Sequence, residues 1–256
     1  MSWMDSFFDD VYRDFMEHYR GPEVSAKEAK FLVDVLEIAP GRRFLDAACG
    51  HGRHMRFMPQ DSVVGVDINL KYLAEAKRYG DVVAADLRLP PFRRRAFDGA
   101  YIMHSSIGMF GDEEDLEILM WLSGSIKPGG RLALDLANRS KIDKVYAAFG
   151  ESWNMWISAG PYKVLSMATY NPLTGRIKEV RYIYRQGQYL GAKALELRIY
   201  SPSEIGLMLR SVGMAVETVY GDFDKSPYSE SSERFIVVAI KVGGAPEPLK
   251  TAISWA

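Results

Sequence analysis

The 256-residue chain contains one cysteine, Cys49. A single thiol excludes any disulfide within the chain and fits a reducing, cytoplasmic setting. Charge of one sign is also missing: 32 basic residues stand against 33 acidic ones, for a net charge of -1. There is no long basic run, so no nucleic-acid or anionic-membrane partner is expected on electrostatic grounds. Arg93-Arg94-Arg95 is a short cluster that reads as an exposed turn after Pro90-Pro91. No apolar stretch approaches the ~20 residues needed to cross a bilayer. The first ten residues mix acids with aromatics instead of placing a basic segment before an apolar one, so they do not read as a secretory signal. No cysteine and histidine cluster has metal-ligand spacing, and no metal is expected. What is present is a hydrophobic fraction of 48%, ample for a full core.

The pattern of apolar residues divides the chain. Over residues 3–20, Trp3, Phe7, Phe8, Val11, Tyr12, Phe15, Met16 and Tyr19 recur at helical spacing, and Gly21-Pro22 stops that helix. Ser25 and Glu28 predict a capping box at the start of a second helix, which runs to Pro40-Gly41. Strands are then predicted at 44–47, 63–67, 82–86, 97–104 and 131–136. Helices are predicted near Gly52, at 70–78 and at 113–125, with a turn at Lys127-Pro128-Gly129-Gly130. Short apolar strands separated by helices predict a doubly wound parallel sheet covered on both faces. Over residues 153–200, extended runs broken at Gly160-Pro161, Asn171–Gly175 and Gly187/Gly191 predict three or four antiparallel strands in a small inserted sheet. Ser201-Pro202-Ser203-Glu204 opens a helix ending at Gly213. Residues 214–220 and 234–242 then form a closing hairpin. The division expected is residues 1–40 as a helical lid, 41–140 with 201–242 as the core, 141–200 as the insertion and 243–256 as a tail.

Three features carry chemistry. Gly50-x-Gly52 follows the first strand and lets a ligand approach bare backbone. It is not a dinucleotide fingerprint, because Met55 stands where the third glycine would be, and this sets back a dehydrogenase. Asp67 and Asp86 end the second and third strands, where an open α/β sheet binds its ligand. Each alone reads as structural; together they fit ribose hydroxyls and an adenine amine.

Leu45-Asp46-Ala47-Ala48-Cys49-Gly50-His51-Gly52-Arg53 resembles the first motif of the class I S-adenosylmethionine-dependent methyltransferases. Gly65-Val66-Asp67 resembles the second, and Ala85-Asp86-Leu87 with Leu89-Pro90-Pro91-Phe92 the third. Phe97-Asp98-Gly99-Ala100 and Lys127-Pro128-Gly129-Gly130-Arg131-Leu132 resemble the approaches to the fourth and fifth strands. The similarity covers residues 27–140 and 200–241. It implies a Rossmann-like, doubly wound seven-stranded sheet with a reversed last strand, carrying the small antiparallel sheet as an insertion. It also implies S-adenosylmethionine as cofactor. By position, Asp46 would orient the methionine amino group, and the backbone at Ala48, Gly50 and Gly52 would face the methionine moiety. Arg53 would pair with its carboxylate. Asp67 would take the ribose, Ile68 and Leu87 would lie against adenine, and Asp86 would read its amine. His104 and Ser105 would sit beside the sulfonium, and Tyr19 would close over the cofactor from the lid. Ala47-Ala48 departs from a more usual glycine-rich pair. Ser105-Ser106 departs from the Asn/Asp-Pro-Pro-aromatic run of DNA amino methyltransferases.

Methyl transfer from a sulfonium is an in-line displacement, so alignment and desolvation do most of the work and no catalytic dyad is required. His104 is the candidate general base, with a histidine satisfied at a strand end as its bland alternative. His51 and His54 read as packing residues and Cys49 as a buried small residue. Trp153, Trp156, Tyr162 and Tyr170 read as strand core, with an aromatic cage as the alternative. Asp222, Tyr228 and Arg234 are candidates to reach the acceptor. The function expected is methyl transfer to a nitrogen or oxygen of a small molecule, by a monomer or homodimer. A protein or RNA methyltransferase and a non-catalytic cofactor-binding module are the alternatives.

Overall fold

The structure, a computed structural model, describes residues 6–243. Trp3 and all of the expected tail beyond residue 243 lie outside the described residues. The described chain builds two sheets. Strands β1 (Phe44–Ala47), β2 (Val63–Asp67), β3 (Asp81–Ala84), β4 (Phe97–Ile102), β5 (Ile126–Ala137), β10 (Met214–Tyr220) and β11 (Arg234–Lys241) form a seven-stranded sheet in the order β10-β11-β5-β4-β1-β2-β3. All pairings from β5 to β3 are parallel, whereas β11 runs antiparallel to both β5 and β10. This is the doubly wound arrangement with a reversed last strand. β6 (Ser152–Ala159), β7 (Tyr162–Asn171), β8 (Arg176–Arg185) and β9 (Gln188–Arg198) form a separate antiparallel sheet.

The core follows from strand composition. β1 is buried on both faces, as a central parallel strand must be. Leu45 and Ala47 join Ile102, Leu132, Leu134 and the inner face of α4 (Asp112–Ser125) and α6 (Pro202–Ser211). Phe44 joins Phe31, Leu32 and Leu36 of α2 (Pro22–Leu36) on the opposite face, with α3 (Leu70–Ala76) beside them. α6 opens on the expected capping box, with Ser201 accepting from the Glu204 backbone and Glu204 accepting from Ser201 N.

Four local expectations are corrected. Gly21-Pro22 ends one helix, but Pro22 also opens α2 at its first position, three residues ahead of Ser25. Ser25 therefore lies inside the helix and donates to the Arg20 carbonyl, and Glu28 is no capping partner. The helix expected near Gly52 is only a 3₁₀ turn, Met55–Phe57, because Pro59 disfavours helix at the residue before it. The expected turn at Lys127–Gly130 is part of β5, where the pairing steps from Phe97↔Ile126 to Gly99↔Arg131. Gly130 is required there, since a Cβ would collide with the Asp98 carbonyl. Finally, residues ahead of β6 form a helix, α5 (Arg139–Phe149), capped by Asn138.

α1 (Asp10–Tyr19) lies across the mouth of the core and is tied to both sheets. The Phe8 carbonyl accepts from Asn69 at 3.0 Å, and the Asp9 carbonyl from Tyr72 at 3.1 Å. Asp14 accepts from Tyr162, and Asp9 pairs with Lys193 of β9. Phe15 packs into an apolar cluster with Tyr162, Val164 and Ile183. α1 thus closes the space between the core and the small sheet.

Candidate active site

At the carboxyl end of β1 the chain turns sharply through Ala48, Gly50 and Gly52, all with positive φ (61°, 57° and 79°). Positive φ is costly for alanine and not for glycine, so Ala48 carries the strain of this loop. The loop is fastened from β2: Asp67 Oδ2 accepts from Gly50 N at 2.8 Å and Oδ1 from Asn69 N at 2.9 Å. Burial raises the Asp67 pKa, and these backbone donors hold it back. β1 and β4 adjoin where the sheet reverses its winding order, the place where such folds bind ligands.

A cavity of about 450 Å³ opens there, within the range of small-ligand sites. Of the residues expected at the site, Tyr19, Ala48, Gly50, Arg53, Asp67, Ile68, Asp86, Leu87, His104 and Ser105 line it. Asp46 and Gly52 are not on the wall. Asp46 points from β1 toward Tyr101, behind the loop, and its Oδ2 is buried with no hydrogen-bond partner. Burial pushes its pKa up to about 7. Gly52 packs against α3, where a Cβ would lie 2.9 Å from Ala76 Cα; its glycine serves helix packing. Asp86 is held by Arg88 in its own turn, at 2.6 Å from Nη2. Of the three acceptor-side candidates, Arg234 reaches the wall, while Asp222 pairs with Lys27 and the Tyr228 hydroxyl donates to Asn138. The aromatic cage does not form: Trp156 is exposed beside Tyr184, whereas Tyr162 and Tyr170 are buried and bonded to Asp14 and Asp143.

Glu28 organises the cavity floor. It is fully buried and its Oε2 lies 2.5 Å from Arg53 Nη1, 2.8 Å from His54 Nε2 and 3.7 Å from His104 Nε2. Arg20 approaches Oε1 at 3.6 Å. Burial works against its charge, but His104, His54 and Arg53 outweigh it and hold the carboxyl far below its usual range. Arg53 is therefore committed to Glu28, with Ser25 Oγ 3.2 Å from the same Nη1, rather than free for a ligand carboxylate. Glu28, His54 and His104 converge closely enough to hold a metal ion. Arg53 already supplies positive charge inside that group, which works against a second cation. His54 is pushed down to about 3 by burial and by Arg53. His104 is lowered by the same two causes.

His104 and Ser105 both adopt positive φ (58° and 57°), a strained corner at the end of β4. Asp135 of β5 holds it: Oδ2 accepts from His104 N at 3.0 Å, and the carbonyl accepts from Ser105 N at 2.9 Å. Arg234 neutralises Asp135 at 2.6 Å. Sequence reasoning missed Glu28, Asp135 and two residues of β8, Glu179 and Arg181, that line the cavity roof. An aspartate inside the run Leu-Ala-Leu-Asp-Leu was the one visible signal for Asp135.

Residues 44–130 match the family model described as "Methyltransferase domain". A 24-methylenesterol C-methyltransferase 3 from Arabidopsis thaliana is 33% identical over 131 residues, covering 41% of this chain and 36% of that protein. A tRNA U34 carboxymethyltransferase from Methylococcus capsulatus is 32% identical over 149 residues, covering 52% of this chain and 45% of its own. The chain spans less than half the length of these curated relatives. A solved S-adenosylmethionine-dependent methyltransferase from Clostridium acetobutylicum superposes with a TM-score of 0.75 at 15% identity, over 91% of this chain and 97% of the other. The fold is shared with the class I methyltransferases, and residues 44–130 carry the match to the methyltransferase-domain family model. S-adenosylmethionine is the cofactor of that class. The residues suit it: Gly50 offers backbone with only Tyr72 within 4 Å of a would-be Cβ, and Asp67 and Asp86 stand on the same cavity wall.

Proposed function

We propose that this protein transfers a methyl group from S-adenosylmethionine to a nitrogen or oxygen of a small-molecule acceptor. The observation that carries this reading is how the cavity is walled. α1 and the small sheet stand over the crevice at the end of β1 and β4, and the cavity of about 450 Å³ between them is of small-ligand size. In this reading the lid expected over residues 1–40 is α1, with α2 packed on the core; residues 141–200 are the roof, and 41–140 with 201–242 the cofactor-binding core, working in the cytoplasm.

When bound, the cofactor supplies an electrophilic methyl group on a sulfonium. Asp67 would take the ribose hydroxyls with the lone pairs its backbone donors leave. Ile68 and Leu87 would flank the adenine, with Asp86 at its edge. Asp46, behind the loop and off the cavity wall, would act on the amino group only through water or the loop backbone. The lid excludes water and the strained His104-Ser105 corner fixes the acceptor side. Burial and Arg53 keep His104 neutral, the form a base needs, while making it a weaker proton acceptor than a free histidine. Arg53 can only donate to Nε2, so Nδ1 would take an acceptor proton only in the tautomer whose Nε2–H points to Glu28.

A polymer acceptor is the second reading, favoured by the tRNA-acting relative. Against it, the five arginines on the cavity wall each have a carboxylate partner: Arg13 with Glu75, Arg20 and Arg53 with Glu28, Arg181 with Glu179, and Arg234 with Asp135. No cation among the described wall residues is left over for phosphates. The test is methyl transfer from labelled S-adenosylmethionine to cell extract split by size. Label in the low-mass fraction supports the reading; label confined to RNA or protein contradicts it.

A further inference from the structure

We propose that Glu179 and Arg181 form a recognition site for a hydrogen-bonding edge of the acceptor, an edge that carries adjacent hydroxyl or amine groups. This rests on the methyl-transfer reading above and names the acceptor chemistry for the same cavity.

The placement follows from strand alternation. Ile177, Glu179, Arg181 and Ile183 share one face of β8. Ile183 is buried in the cluster under α1, while Ile177, Glu179 and Arg181 line the cavity. Across the strands, Leu195 stands opposite Glu179 and Leu197 opposite Ile177, with Ile142 and Ile199 on the same wall, while Arg181 stands opposite Lys193, itself paired with Asp9. Beside these apolar residues the chain places a forked ion pair. Arg181 Nε and Nη2 donate to Glu179 Oε1 and Oε2, both at 2.8 Å. Ser166 of β7 donates to Oε1, and the Tyr12 hydroxyl from the lid hydrogen-bonds Arg181.

Such a pair is a poor device for stability. Two charges taken out of water recover little more than their desolvation cost, and apolar residues of similar volume serve a fold as well or better. The pair is useful for what it leaves unsaturated. A carboxylate has about four lone-pair sites, and three are taken here; a guanidinium has five N–H donors, and two go to Glu179 and one to Tyr12. An acceptor site and free donors thus lie side by side. A hydroxyl can use both at once, and a neighbouring amine or hydroxyl extends the match. The pair is neutral overall, so it does not select an anion. An all-apolar acceptor would cover the remaining lone pair and N–H donors without giving them partners, which is how hydrogen-bonding sites reject such molecules.

The experiment uses the full chain loaded with S-adenosylhomocysteine. Binding of cis-1,2-cyclohexanediol, trans-2-aminocyclohexanol and methylcyclohexane is followed by saturation-transfer NMR, in the wild type and in the paired variant Glu179→Leu/Arg181→Met. Glu179→Gln serves as a second variant that keeps the side-chain size. The expected result is that the diol and the amino alcohol bind the wild type and weaken by about tenfold or more in the paired variant. They weaken less in Glu179→Gln, while methylcyclohexane is unaffected and affinity for S-adenosylhomocysteine is equal in all three proteins. Equal binding of the diol and methylcyclohexane, or diol binding that survives both variants, overturns the inference. So does failure of both polar probes to bind a wild type that holds S-adenosylhomocysteine. Failure of S-adenosylhomocysteine itself to bind the wild type overturns the methyl-transfer reading instead.

Discussion

Glu28 Oε2 and His54 Nε2 lie 2.8 Å apart in the interior, with Glu28 fully buried and His54 4% exposed. The bond joins α2 to the end of the glycine loop and sets Arg53 and His104 beside it. A carboxylate with this many cationic neighbours is a hub, and its loss reaches further than the loss of a helix cap.

Glu28→Ala leaves Arg53 buried without its partner, which costs about 3–5 kcal/mol. A capping contribution alone would cost about 1 kcal/mol. Urea denaturation separates the two values. Glu28→Gln, which keeps an acceptor for His54, should fall between wild type and alanine.

The pH dependence follows from the same pair. His54 is lowered to about 3 from the ordinary 6.5 because burial and Arg53 disfavour its charged form. The unfolded chain therefore takes up a proton below about pH 6.5 that the folded chain refuses down to about pH 3. Stability is lost across that window as pH falls, by about 1.4 kcal/mol per pH unit for one proton. Glu28, held low in the folded state, adds loss of the same sign as pH falls below 4.5. His54→Gln should flatten the slope between pH 6 and pH 5, read from denaturation midpoints at each pH.

Gly52 and Gly129 have nearly the same backbone, φ 79° and 78°, in different surroundings. A Cβ at Gly129 meets nothing within 4 Å, so Gly129→Ala should cost only the strain of positive φ, about 1–2 kcal/mol. Gly52→Ala adds contact with Ala76 at 2.9 Å and should cost about 1–3 kcal/mol more by overpacking. Equal losses in thermal unfolding would show that Gly52 is not packed against α3.

Asp46 carries a carboxyl raised to about 7 by burial. A raised carboxyl stabilises the fold when protonated, and that stability is lost as pH climbs from 3.8 toward 7. Asp46→Asn should therefore stabilise the cofactor-free protein at pH 8, by about 1–3 kcal/mol. The same change removes the charge proposed to act on the cofactor amino group through water or the loop backbone, so S-adenosylhomocysteine should stabilise the variant less than the wild type.

The strands that build the cofactor side are legible in the sequence because each is a short apolar run that leads straight into a polar or glycine-bearing turn. Asp67 follows Val63–Val66, and Ala48 to Gly52 follow Phe44–Ala47. The Ser201 capping box is legible for the same local reason. Glu28 misleads because Ser25 and Glu28 satisfy a local rule that Pro22, already at a helix start, makes redundant. α5 is hidden because none of its residues is buried, so no apolar stripe marks it. Glu179 and Arg181 are hidden because charges alternate with apolar residues on both faces of β8. Only the fold shows which face the lid covers.

The most direct test is calorimetric titration of the wild type and Asp67→Ala with S-adenosylhomocysteine. Saturable one-to-one binding to the wild type is expected, with loss of most of that affinity in the variant, which gives up both the proposed ribose contact and the Gly50 anchor. A folded wild type that shows no binding at millimolar ligand, or an Asp67→Ala protein that binds as tightly, would contradict the cofactor site described above.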